Sequence, residues 1–150
     1  MGLYTNIDKL VELRILQQKD DWKLESNVPT MTIKTTSFLS GFLMNDSNGI
    51  IIVAEKNNNI IATCGLQIIE LMPQYNDNGK YGYIFNVFTL EDFRRHGVQS
   101  KLLSEIINYA KSLNITEISL ETDNDVAVHM YEKCGFVQNN LFMTKQISGV

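Results

Sequence analysis

Val87-Phe88-Thr89-Leu90-Glu91-Asp92-Phe93-Arg94-Arg95-His96-Gly97-Val98-Gln99-Ser100-Lys101-Leu102-Leu103 passes from a β-branched and aromatic stretch, through a short basic loop, into an apolar repeat. The run predicts a strand, a tight turn and the start of a helix. That order bears on chemistry as well as fold. A helix N-terminus leaves about four backbone N–H groups unpaired and carries roughly half a positive charge. Together with Arg94, Arg95 and Lys101 it suits a phosphate or pyrophosphate, and Gly97 lets the backbone approach the anion. A solvated basic turn with one glycine has the same composition, and neither G-x-G-x-x-G nor G-x-x-x-x-G-K-S/T is present.

Downstream, Val98, Leu102, Leu103, Ile106, Ile107, Ala110 and Leu113 follow helical spacing. A strand is expected at 117–121, a helix over 124–134 stopped by Gly135, and a last strand at Leu141 to Ile147. Upstream, Tyr83 to Thr89 is a strand, entered from the polar tract 73–80. Before it, Ile50 to Glu55 and Ile60 to Ile69 flank Lys56-Asn57-Asn58-Asn59 as a hairpin. A first helix is read from Asn6 to Leu16, with Thr5 and Asp8 resembling a capping box. Asp20 to Thr30, which contains Pro29, reads as a loop, and a less regular helix follows from Met31 to Met44. The order is α+β, with no internal repeat or composition break across 1–150, as expected of a single domain.

The 150 residues are 44% hydrophobic and 20% charged, which fits a globular chain rather than a disordered or fibrous one. Thirteen Lys plus Arg against 17 Asp plus Glu give a net charge of -4, which argues against nucleic acid as a partner. No basic segment leads into an apolar run at the start, and no stretch approaches the ~20 residues that span a bilayer. The expectation is a cytoplasmic protein with no membrane association. Cys64 and Cys134 are too few and too far apart for a disulfide framework or a zinc site, so no metal is expected.

A second segment, Asn124-Asp125-Val126-Ala127-Val128-His129-Met130-Tyr131-Glu132-Lys133-Cys134-Gly135-Phe136, follows about thirty residues later. With it the chain resembles the GNAT superfamily of N-acetyltransferases. Arg94 to Gln99 looks like that family's Q/R-x-x-G-x-G/A cofactor loop, and Asn124, Ala127, Tyr131 and Gly135-Phe136 fall at its N-x-x-A-x-x-x-Y-x-x-x-G-F positions. The resemblance covers roughly residues 6–147 and is strongest over 83–136. It implies a three-layer fold: a mixed, largely antiparallel central sheet flanked by helices and splayed at the cofactor site.

The resemblance also implies roles. Acetyl coenzyme A (acetyl-CoA) would be the cosubstrate, its pyrophosphate held by backbone amides of the loop Arg95, His96, Gly97, Val98, Gln99 and Ser100, with Arg94 beside it. Its pantetheine arm would pair with the strand carrying Phe85, Val87, Phe88 and Thr89, and Asn124 would contact that arm. Tyr131 would stand beside the thioester sulfur. In that arrangement an amine attacks the thioester directly, a strand N–H near Val87 stabilises the oxygen that gains charge, and the phenol protonates the departing thiolate.

Two departures from the family pattern bear on this. Gln99 stands where Gly or Ala is usual, which places a side chain near the pyrophosphate, either tightening or crowding the loop. Only Met1 to Tyr4 precede the first helix, so the family's first strand is short, absent or supplied by another chain; an exposed or exchanged edge would allow a homodimer. The general base is open among Glu70, Glu91, Asp92, His129 and an ordered water, with Glu70 carried forward. The acceptor cleft is expected at the 20–30 loop, with Trp22, and at 73–80, with Tyr75. The competing reading is a coenzyme-binding sensor or scaffold without turnover, supported by Gln99 and the missing base.

Overall fold

The computed structural model describes residues 6–21, 26–139 and 141–147. Helix α1 spans Ile7–Asp21 and α2 spans Val28–Phe42. Strands β1 (Gly49–Lys56), β2 (Asn59–Glu70) and β3 (Lys80–Thr89) follow, then helix α3 (Val98–Ser112), strand β4 (Glu117–Ser119) and helix α4 (Asp125–Lys133). Single turns of 3-10 helix lie at Asp46–Asn48 and Glu91–Phe93.

The strand order is β1-β2-β3-β4, antiparallel except for the parallel pair β3 and β4. The first hairpin closes on Asn57 and Asn58, both left-handed at φ 53° and 64°. That is the two-residue turn whose twist matches its strands, and Asn tolerates the conformation better than most residues. Alternation along β1 sends Ile50 and Ile52 to one core and Ile51 and Val53 to another. On the first face Cys64, Leu66 and Ile84 pack against Leu102, Leu103 and Ile106 of α3 and against Tyr131 of α4. On the second, Leu10, Leu13, Leu39 and Phe42 of α1 and α2 cover Ile51, Val53, Ile60 and Phe88. The result is the three-layer arrangement expected from the resemblance, with a mixed, mostly antiparallel sheet in the middle.

Several boundaries differ from the expectation. Helix α1 runs past Leu16 to Asp21, and α2 begins at Val28 with Pro29 in its first turn. Proline is tolerated there because the first-turn N–H groups have no helical acceptor. The N-terminal cap of α1 is Asn6, whose Oδ1 accepts from the Lys9 N–H at 3.3 Å. Thr5, Met1 to Tyr4, on which the reading of a short or absent first strand rests, and Trp22 lie outside the described residues.

The strand expected over Leu141 to Ile147 does not form. Those residues have no strand pairing, and Leu141, Phe142, Met143 and Ile147 are all exposed. A strand needs a neighbour for its N–H and C=O groups, and on the β4 edge of the sheet only Glu117–Ser119 pair. No described helix is long and apolar enough to cross a membrane.

Candidate active site

The distal half of β3 departs from a regular strand. Ile84 and Val87 pack on the α3 face, while Phe85 and Phe88 pack on the α1/α2 face. Strict alternation would place residues three apart on opposite faces, so one extra residue must be taken up between them. That residue is Asn86, left-handed at φ 56°, opposite a register shift between Thr63 and Gly65 of β2. On the other side, β4 pairs with β3 only at Tyr81, Gly82 and Tyr83. Phe85 to Thr89 therefore borders an open edge, which is the splay expected of this sheet.

Side chains from four elements hold the carbonyls of this half-strand. The Thr63 hydroxyl of β2 donates to Asn86 O at 2.8 Å, and Gln17 Nε2 of α1 donates to Val87 O at 2.9 Å. Gln99 Nε2 of α3 donates to Phe88 O and also to Thr63 O, each at 2.9 Å. Arg94 Nε, in the loop, donates to Thr89 O at 2.8 Å. Buried carbonyls left without a ladder partner cost free energy unless another donor is found. The side-chain clamps brace the half-strand where the bulge at Asn86 interrupts its regular pairing with β2.

In the loop that follows, the backbone turns left-handed at Arg95 (φ 68°) and again at Gly97 (φ 75°). A Cβ built at Gly97 would meet nothing within 4 Å, so the space above the turn is open. Lys101 N–H bonds to Gly97 O, but the amides of Arg95, His96, Gly97, Val98, Gln99 and Ser100 donate to no described group. An unbroken run of free N–H groups at the positive end of α3 forms an open cradle that can donate to an anion. Arg95, His96 and Ser100 are exposed around it, with Val98 partly buried at the helix start.

Two loop side chains are placed otherwise than the pattern implies. Gln99 does not project toward the cradle: its amide is folded back onto the strands, and its Oε1 is buried without a partner. Arg94 is likewise committed to protein, since besides Thr89 O it pairs with Asp20 of α1 at 2.8 Å and lies over the Phe88 ring. The free donors at this turn are thus backbone amides, with Arg95 and His96 exposed around them and Arg94 bracing the loop.

Helix α4 presents Tyr131 by means of both its ends. At the N-terminus Asn124 Oδ1 accepts from the Val126 and Ala127 amides at 2.9 and 3.1 Å. At the C-terminus Gly135 is left-handed at φ 97°, its N–H bonds to Glu132 O, and the Phe136 N–H bonds to Tyr131 O. The Phe136 ring packs edge-on against Tyr131 with centroids 5.8 Å apart. This is a Schellman cap with its hydrophobic contact. The N-x-x-A-x-x-x-Y-x-x-x-G-F spacing is accordingly a helix with a cap at each end and the tyrosine locked between them.

Tyr131 is 6% exposed, yet its hydroxyl bonds to no described residue and is not among the sealed polar atoms. Burial, reinforced by the neighbouring Cys64 and Cys134, pushes the phenol up to about 12. Cys64, fully buried on β2, is also pushed up to about 12 by burial. Val87 packs against the same cluster that buries Tyr131, so the open strand edge and the phenol share one face of the sheet.

Other candidates are not gathered there. Glu70 is exposed at the far end of β2, paired with Lys80, and six residues along the strand from Cys64, or roughly 20 Å. Glu91 and Asp92 are exposed in the 3-10 turn before the loop, and His129 is exposed on α4. Tract 73–80 is tied to itself by Asp77, which accepts from the Gln74 and Gly79 amides and from the Tyr81 hydroxyl at 2.6 Å. Those donors hold the Asp77 carboxyl below the usual carboxylate range. Gln17 and Thr63 were not legible as site residues. Asn86 had a signal: an Asn inside an apolar strand is the residue type that tolerates a left-handed bulge. No described group of His, Cys, Asp and Glu could hold a metal ion.

A family model described as acetyltransferase (GNAT) family matches residues 13–136. Among solved structures, a predicted acetyltransferase from Clostridium acetobutylicum with acetyl-CoA superposes at TM-score 0.83, with 29% identity over 95% of this chain and 90% of that one. A candidate acetyltransferase from Agrobacterium tumefaciens is 28% identical over 97% of this chain and 100% of that one, at TM-score 0.72. Glucosamine-6-phosphate N-acetyltransferase from Arabidopsis thaliana shares the fold at TM-score 0.72 and 20% identity, over 99% of this chain and 97% of that one. No curated protein matches the chain.

Proposed function

The chain belongs to the GNAT family of acetyltransferases, and from that premise we propose that it is an N-acetyltransferase that moves the acetyl group of acetyl-CoA onto a primary amine of a small molecule or peptide. One observation carries the reading: the free amides from Arg95 to Ser100 adjoin an open β3 edge on the face that holds Tyr131. Bound acetyl-CoA supplies a thioester whose carbonyl the amine attacks and whose thiolate leaves as the new C–N bond forms.

The chain's own residues then divide the work. The amide cradle at α3 anchors the pyrophosphate, and the edge Phe85 to Thr89 aligns the pantetheine arm. The Val87 N–H faces the oxygen that gains charge. Tyr131 gives its proton to the leaving sulfur and regains one from the amine nitrogen through water. At about 12 the phenol lies well above an ordinary thiol, which alone would make that transfer uphill. Burial raises the Cys64 thiol, and desolvation acts in the same direction on any sulfur held beside Tyr131, which lessens the mismatch.

Glu70 sits too far along β2 to serve Tyr131's neighbourhood, which favours water as the acceptor of the amine proton. The sensor alternative rested partly on Gln99, and with that side chain folded onto strand carbonyls the support is weaker. The net charge of -4 favours a cationic acceptor. The free thiols of Cys64 and Cys134 suit a cytoplasmic setting.

Thermal unfolding with acetyl-CoA, coenzyme A and NAD tests the cofactor. At one hundred times its dissociation constant a ligand adds about 2.7 kcal/mol, roughly 5–11 °C for a chain of this length. Both coenzyme A species should shift the midpoint and NAD should not. Thiol release from acetyl-CoA in an amine panel then separates the enzyme from a sensor, which would bind without turnover.

A further inference from the structure

We infer that Thr63 is a positioning residue for acetyl transfer: by holding the Asn86 carbonyl it aims and polarises the Val87 N–H at the open edge of β3. The inference rests on the acetyltransferase reading and adds to it a residue on a different strand, outside both sequence motifs.

The geometry is that of one peptide unit. Thr63 is 0% exposed, and its Oγ1 donates to Asn86 O at 2.8 Å. No described peptide bond is cis, so the carbonyl of Asn86 and the N–H of Val87 point in opposite directions from the same planar group. A carbonyl drawn toward Thr63 on β2 therefore turns the Val87 N–H away from β2. Val87 belongs to neither the β2 nor the β4 register. The next peptide agrees: Val87 O is met by Gln17 from α1 rather than by β2.

The left-handed φ of 56° at Asn86 is a conformation that non-glycine residues adopt at a cost, and the buried hydroxyl offsets it. A hydrogen bond to a carbonyl also polarises its peptide, making the N–H at the other end a better donor. A donor fixed before the reaction stabilises developing negative charge without reorganising when the charge appears. Removing a direct oxyanion donor costs on the order of a hundredfold or more in turnover, so loosening one through its peptide should cost roughly tenfold.

The test compares wild type with Thr63→Val, which keeps shape and loses the hydroxyl, and Thr63→Ser, which restores it. Readouts are the Val87 amide proton shift in the ligand-free chain, affinity for coenzyme A, and thiol release with acetyl-CoA and a responsive amine. Thr63→Val should move the Val87 amide upfield and lower kcat roughly tenfold, leaving coenzyme A affinity unchanged; Thr63→Ser should recover both. An unmoved Val87 amide or an unchanged kcat in Thr63→Val overturns the inference. A loss of coenzyme A affinity as large as the loss of kcat, not rescued by serine, also overturns it by making Thr63 merely structural. A wild-type chain that binds neither coenzyme overturns the acetyltransferase reading itself, while the Val87 amide still reports whether Thr63 orients that peptide.

Discussion

Replacing Gln99 by alanine separates two roles for a side chain at the edge of the anion cradle. Its Nε2 places one hydrogen on Thr63 O and the other on Phe88 O, each at 2.9 Å, closing the gap left by the bulge. An amide–carbonyl bond contributes about 0.5–1.5 kcal/mol net, so losing two costs about 1–3 kcal/mol. Gln99 Oε1 is buried without a partner, and its removal returns part of that cost. The net expectation for Gln99→Ala is a loss of roughly 1–2 kcal/mol, which at about 2–4 °C per kcal/mol lowers the midpoint by roughly 2–8 °C. Urea and thermal unfolding measure the loss, and calorimetry with acetyl-CoA measures binding. Because the side chain faces the strands, affinity should stay the same or fall slightly as Phe88 and Thr89 loosen. A variant as stable as wild type that binds acetyl-CoA more tightly would refute the reasoning, because Gln99 would then have been crowding the pyrophosphate. Gln99→Glu should destabilise more than alanine at neutral pH, since a carboxylate cannot donate to either carbonyl, and should recover as acid protonates it.

The other expectations divide among the loop, α4 and pH. Asn124→Ala removes the α4 cap and should cost about 1 kcal/mol; Asn124→Asp keeps an acceptor and loses Nδ2, so restored stability with weakened acetyl-CoA binding would assign Nδ2 to the pantetheine. For the pair Arg94 and Asp20, whose side chains are 40% and 49% exposed, a double-mutant cycle should give less than about 1 kcal/mol of coupling. Arg94→Ala should nonetheless cost about 1 kcal/mol more than Asp20→Asn, because only it also frees the Thr89 carbonyl. Tyr131 and Cys64 are held neutral when folded, rising from 10.0 and 9.0 to about 12 in each case. Between about 9 and about 12 the unfolded chain therefore binds fewer protons than the folded one, and stability falls as pH rises through that window. Tyr131→Phe should flatten the upper part of that fall in pH-dependent unfolding and lower kcat partially, without changing coenzyme affinity.

Much of the fold was legible because its signals are local. Helical periodicity marks α3 from Val98, and Asn57-Asn58 closes the first hairpin through residues that accept a left-handed turn. Asn124 and Gly135-Phe136 cap α4 and hold Tyr131 between them, which is why that motif could be read as a unit. The same local reading went wrong where the deciding contact was missing or distant. Leu141 to Ile147 has a strand's composition but no pairing neighbour, and Pro29, a breaker in isolation, fits the first turn of a helix.

The sequence by itself determined the hairpin, α3, α4 and the turn between β3 and α3, since periodicity, capping and turn chemistry act within about four residues of chain. Tertiary structure decided what those segments do together. Thr63 meets Asn86 across 23 residues, Gln17 meets Val87 across 70, and Arg94 meets Asp20 across 74. These meetings brace the bulged half of β3, while Gln99 bonds to Thr63 O and Phe88 O and Arg94 to Thr89 O, so neither side chain is left free at the turn. A strand that loses its neighbour must satisfy its carbonyls with whatever packs around it, and that is settled only when distant parts of the chain are folded against one another.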